Sequence, residues 1–86
     1  MIITLKGTEA AAPTGSGTAS NVGSARLVRC ANAGGTARLV TLEESGGTDI
    51  GTFTVPANGV QYVRKDASDK IFAASADIKL AAVAQN

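Results

Sequence analysis

Histidine and tryptophan are absent from this 86-residue chain, and cysteine occurs once, at Cys30. Without histidine, the Ser-His-Asp and Cys-His constellations are unavailable, and general acid–base catalysis loses its usual residue. A single cysteine excludes an intrachain disulfide. With no second thiolate and no imidazole, a structural zinc site has no ligand set. Aromatics are limited to two Phe and one Tyr, too few to build stacking platforms for single-stranded nucleic acid. Neither sign of charge dominates: eight basic and seven acidic residues leave a net charge of +1, which gives no long-range attraction to phosphate. The basic residues are scattered, with Arg64-Lys65 the only adjacent pair.

Long apolar runs are missing too. No stretch approaches the ~20 residues of a membrane span. The start, Met1 to Lys6, is too short for a signal-peptide core and carries its lysine on the wrong side. No Asn-x-Ser/Thr sequon occurs. These absences predict a non-enzymatic protein with no cofactor, no metal, no nucleic-acid partner and no membrane partner, made without export. The unpaired cysteine fits a reducing compartment. A chain of this length forms one domain, residues 1–86, and buries only ~60% of its unfolded surface. With disulfide and metal unavailable, partner subunits are the remaining external source of stability.

What is present favours strands. Val, Ile and Thr recur in short runs, and glycine-rich turns separate them at the spacing of an all-β domain. The runs predict strands at Ile2–Lys6, Ser24–Asn32, Ala37–Glu43, Asp49–Val55, Val60–Lys65, Lys70–Ser75 and Ala76–Ala84. The alternative for the last segment is a short helix over Ala73–Ala84, because alanine favours helix. The fold class expected is all-β, a small antiparallel sandwich or barrel. Its core is expected to be Val28, Val40, Leu42, Phe53, Val55, Val63, Ile71, Ile78 and Leu80. The string Ala25-Arg26-Leu27-Val28 recurs as Ala37-Arg38-Leu39-Val40, which reads most simply as two similar strands of one hairpin. Alternate residues share a face, so Val28 with Cys30 and Val40 with Leu42 point inward, while Arg26 and Arg38 begin those rows at the sheet rim. Pro56-Ala57-Asn58-Gly59 is a turn by its chemistry: proline presets the first corner and Asn or Gly accepts positive φ after it. Gly7 to Gly23 is rich in Gly, Ala, Ser and Thr without apolar periodicity. It reads as a long N-terminal loop or extended arm, expected to order on a neighbouring subunit.

Each group with possible chemistry has a plainer reading beside it. Cys30 lies in an apolar strand and reads as a small buried hydrophobe rather than a reactive thiol. Glu43 with Glu44, and Asp66 with Asp69, are the carboxylate pairs to weigh as hydrolytic or metal sites. Both sit at turns, where acidic residues are ordinary, and adjacent strand residues point to opposite faces. Gly15-Ser16-Gly17 resembles the opening of a dinucleotide loop, but Ser20 stands where a third glycine or alanine belongs, so a flexible arm is the plainer reading. Tyr62 and the arginines are the residue types that anchor protein interfaces. The candidate interface residues are Arg26, Arg38, Tyr62 and Arg64.

The second half has a recognisable cadence. Gly51-Thr52-Phe53-Thr54-Val55 leads into Pro56-Ala57-Asn58-Gly59, then Val60-Gln61-Tyr62-Val63-Arg64-Lys65-Asp66, then Ser68-Asp69-Lys70-Ile71-Phe72-Ala73 and an alternating end. With Ser24-Ala25-Arg26-Leu27-Val28-Arg29 upstream, residues 20–86 resemble the short virion structural proteins of marine tailed phages, including cyanophages. The resemblance implies a small β-sandwich or barrel carried on the particle. It further implies a capsid decoration or cement role through protein–protein contacts, capsid or tail subunits as partners, and a homo-oligomeric or lattice-bound state. The protein would be located in the virion after synthesis in the host cytoplasm. A carbohydrate- or receptor-binding module of the tail or spike is the alternative. No catalytic residues come with the resemblance.

Overall fold

Residues at alternate positions along the strands turn towards a shared core, and this period organises the architecture. In the computed structural model, which describes residues 3–85, eight strands follow in order: β1 Ile3–Leu5, β2 Ala10–Ala11, β3 Leu27–Asn32, β4 Arg38–Glu43, β5 Asp49–Val55, β6 Val60–Arg64, β7 Lys70–Ala73 and β8 Ile78–Gln85. They form two antiparallel sheets. Sheet A has the order β1-β8-β3-β6, with β2 also on β8; sheet B has the order β5-β4-β7. The chain is therefore all-β, and the helix alternative at Ala73–Ala84 gives way to β8. Ile2, placed in the first strand by its sequence, lies outside the described residues.

The core fills the space between the sheets. Val28, Cys30, Ile78 and Leu80 from sheet A meet Val40, Val55, Ile71 and Ala73 from sheet B, all buried. Leu42, Phe53 and Val63 pack against this cluster at its margin and are only partly buried. Every residue expected in the core therefore belongs to it or borders it. The repeated Ala-Arg-Leu-Val string serves both layers: Val28 and Val40 are fully buried, and the leucine before each points outward.

The hairpin expected from that repeat does not form. β3 pairs with β6 and β8, while β4 pairs with β5 and β7, so the connection over 33–37 is an arch between layers. Asn32 makes the arch. Its buried side-chain amide donates to the carbonyls of Thr36 at 2.7 Å and Val55 at 3.1 Å, and its Oδ1 accepts from Gly34 N–H at 2.9 Å. Satisfying this buried amide holds the two sheets in position at that end. An added Cβ at Gly34 would require the half-exposed Asp77 side chain to move aside. The Pro56–Gly59 turn forms as expected, with Asn58 at φ 58° and Gly59 N–H donating to Pro56 O at 2.9 Å.

The expected N-terminal arm is a strap on its own domain. Lys6 N–H donates to Ala82 O, Ala12 N–H to Ile78 O, and Ala73 N–H to Pro13 O. Ser20 and Ile71 exchange a pair of bonds at 3.0 and 2.8 Å. The segment thus runs along β8 in sheet A and crosses to the edge of β7 in sheet B. Ala10 and Ala11 pair with β8 through their backbone and leave their side chains exposed, while Ala12 is buried, so the run shows no apolar periodicity. The 3-10 turn at Ser16–Thr18 brings Ser16 Oγ within 2.8 Å of Glu43 Oε2, to which it donates. Gly15-Ser16-Gly17 is therefore an ordered part of the strap, not a flexible linker. The strap ends in three consecutive positive-φ residues, Val22, Gly23 and Ser24. Val22 is β-branched, so this conformation is costly for it, and it is offset by packing against the core.

Two measurements test this layout. Ile71→Ala, at a fully buried site, is expected to lower unfolding stability by ~2–5 kcal/mol in urea titration. Ser16→Ala leaves a buried carboxyl oxygen without its donor and is expected to cost ~1–3 kcal/mol. Unchanged stability in the serine variant would show that the strap is not held there.

Candidate interaction surface

The outer face of sheet A follows from its register. Val28 points into the core, so Leu27, Arg29 and Ala31 point out. Cross-strand partners share their face, which gives three rows: Leu5, Val83, Leu27 and Arg64; then Ala81, Arg29 and Tyr62; then Lys79, Ala31 and Val60. The middle of the face is closed by its own neighbours, with Leu27, Ala81 and Val83 buried. Its margins are open: Leu5 is 71% exposed, and Tyr62 and Val60 are each 40% exposed. Arg29 crosses the face and pairs with Glu9 at 3.0 Å. This pair is partly exposed, so its contribution to stability is small. It draws the Arg29 guanidinium to the β8 side of β3, towards the strap.

Of the four candidate interface residues, Arg26 and Arg64 come together, Tyr62 shares a face of β6 with Arg64, and Arg38 lies elsewhere. Tyr62 and Arg64 occupy one face of β6. Arg26 lies at the same end as Arg64, where Lys65 N–H donates to Arg26 O at 2.9 Å. Arg26 and Arg64 line an open recess with Leu42, Ile50, Lys65, Asp66 and Asp69. Arg38 is at the opposite end of the sandwich, 3.7 Å from Asp77. Leu5, Val60 and Arg29 belong to this surface and were missed. The alternation Val60-Gln61-Tyr62-Val63-Arg64 does hold a signal for Val60, since it shares the face opposite Val63.

The groups weighed for chemistry adopt structural roles. Glu43 is 1% exposed and held by Ser16, whereas Glu44 is exposed in the turn, so the two do not converge. The Asp69 carboxylate accepts from Asp66 N–H at 3.1 Å, which caps the turn over 66–69. Lys65 is buried and donates to the carbonyls of Asp66 and Ala67 at 3.1 and 3.3 Å. Desolvation lowers its pKa from 10.5, opposed by the charges of Asp69 and Asp66. Cys30 is fully buried, and desolvation raises its thiol to about 12. Among the described residues no group of three or more His, Cys, Asp or Glu is gathered, and no helix is long and apolar enough to cross a membrane. Set against protein-family models, curated proteins and solved structures, the chain matches none of them.

Cys30 gives a pH prediction. Unfolded, its thiol ionises near the ordinary value of 9.0; folded, it keeps its proton to about 12. The native state then binds more protons than the unfolded state between those values, so stability is present below pH 9 and lost as pH rises towards 12. The loss should approach ~4 kcal/mol at its upper limit. Lys65 acts with the opposite sign just below 10.5, because its folded pKa is lowered. Cys30→Ala should therefore flatten the alkaline decline of unfolding stability, and the native thiol should resist a disulfide reagent until the protein unfolds. Rapid native labelling would contradict the assignment.

Proposed function

We propose that this chain is a structural protein of a tailed-phage particle, a capsid decoration or cement protein that binds assembled subunits and stabilises their junctions. The observation that carries the reading is the outer face of sheet A, where Leu5, Val60 and Tyr62 stand exposed beside Arg29 and Arg64. Aromatic and arginine side chains around apolar contacts are what protein interfaces select. A sheet is a rigid platform, so little ordering entropy is lost when such a surface docks. Cement proteins act by linkage: they bind the assembled lattice better than separated subunits and stabilise it by mass action. Many copies on a repeating lattice turn a modest contact into a large total, and no catalytic group or cofactor is required. The resemblance of residues 20–86 to phage virion proteins supports the same reading.

Particles lacking the protein are expected to rupture at lower temperature or milder osmotic shock, and adding the purified chain is expected to restore resistance. Leu5→Glu combined with Tyr62→Glu should fail to restore it while remaining folded, because both side chains are already in contact with water. Host attachment measured on the same particles separates the alternative. Intact particle stability with lost attachment would replace the cement reading with a receptor-binding module.

A further inference from the structure

The sandwich has one sealed side and one open side. The strap and β1 cover β8 and reach the edge of β7, while β5 and β6 end their sheets with no strand beyond them among the described residues. Edges of this kind are templates for pairing, and soluble proteins guard them with charge, proline, bulges or a cover. β5 has little guard. From Ile50 to Val55 it carries no charged residue and no proline, and its only ladder irregularity lies at the Leu42/Glu43 step, at the start of the strand.

The backbone groups open to a partner can be named. Antiparallel residues direct both N–H and C=O to one side and alternate along the strand. Ala74 N–H donates to Leu39 O at 2.9 Å, which turns Leu39, Thr41 and Glu43 towards β7 and Arg38, Val40 and Leu42 towards β5. Val55, Phe53 and Gly51, their cross-strand partners, therefore bond within the sheet. Thr52 and Thr54 direct their backbone groups out of the open edge.

We propose that β5 pairs with β5 of a second copy of this chain, antiparallel about a two-fold axis through Phe53, so that the two three-stranded sheets join into one. The axis sets like against like at its centre, Phe53 on Phe53 and Thr52 on Thr54, with Gly51 opposite Val55 beyond them. The two-fold axis sets each Thr52 opposite the second copy's Thr54, and each such pair exchanges both of its backbone bonds. The threonine side chains, exposed in the single chain, meet across the outer face, and the two Phe53 rings meet on the core-facing side; both kinds of pair stabilise sheets. Phe53 is only partly covered by its own core, so its ring gains burial. Ile50, 51% exposed, is the residue that the bulge leaves without a β4 partner, so the regular pairing ends at Gly51. Gly51 has no atom within 4 Å of an added Cβ, which leaves room beside the incoming strand. A slip of one residue opposes the outward-bonding Thr52 to the inward-bonding Phe53 and forfeits the bonds. The other open edge fits itself less well, because pairing β6 about Tyr62 sets Arg64 against Val60.

This inference does not rest on the particle reading, and its test is made on the purified full chain. Sedimentation velocity from micromolar to millimolar concentration is expected to show a dimer that dissociates on dilution. Hydrogen exchange at the Thr52 and Thr54 amides should slow as concentration rises, while the outward amides of Val60 and Tyr62 on β6 should not. Thr52→Lys with Thr54→Lys is expected to raise the dissociation constant by about tenfold or more, by adding like charges across the axis. A chain that stays monomeric throughout overturns the proposal. So does a dimer in which Thr52 and Thr54 remain unprotected, a readout on the parent protein that decides the matter even if the lysine variant fails to fold.

Discussion

The structure depends on a backbone constraint: a thin two-layer core with small side chains must be closed along its sides by hydrogen bonds rather than by apolar area. The strap supplies them on one side. Bonds from Lys6, Ala12 and Ser20, and the bond that Pro13 O accepts from Ala73, connect β8 in one sheet to β7 in the other. None needs a large side chain, which is why a segment of Ala, Gly, Ser and Thr performs the task. Ser16 on Glu43 adds a side-chain tie from the strap to sheet B, giving a donor to a carboxylate that is 1% exposed. At the end of the sandwich, Asn32 joins the layers in the same currency, through backbone carbonyls of the arch and of β5.

This closure is one-sided, and the asymmetry organises the surface. With β8 and β7 covered by the strap and β1, no strand lies beyond β5 or β6 among the described residues, and the Pro56–Gly59 turn links those two strands in sequence. The outer face of sheet A is open at its margins, where Leu5, Val60 and Tyr62 project past a middle filled by Leu27, Ala81 and Val83. The face and the β5 edge are different surfaces on different sheets. The proposed self-pairing at the edge would leave the face uncovered, and a partner bound through two copies of it would gain from multivalency.

Legibility in the sequence followed the physics of each feature. The strands from β3 to β8 were readable because a half-buried strand must alternate, and Val28, Val40, Val55, Ile71 and Ile78 do so between turn residues. The strap was not readable, because its pairing uses backbone groups that every residue has, and its small side chains leave no period. The false hairpin at the repeated Ala-Arg-Leu-Val string has the same origin: two similar strands share an inward pattern whether they lie side by side or face to face. Tyr62 and Arg64 were legible as interface types, and β6 does place them together. Arg38 carried the same signal and is elsewhere, because residue type says nothing about which end of a sheet a strand begins at.

By itself, the sequence determined the all-β class, the approximate positions of β3 to β8, most of the inward residues and the turn at Pro56–Gly59. These follow from local rules, the period of two along a strand and the φ preferences of Pro, Asn and Gly, which act within a few residues. The tertiary structure alone decided which strands became neighbours, which edges were sealed and which apolar side chains stayed in water. Those outcomes depend on long-range pairing, where the buried amide of Asn32 and the strap across β8 and β7 select one arrangement from several that the same alternating pattern permits.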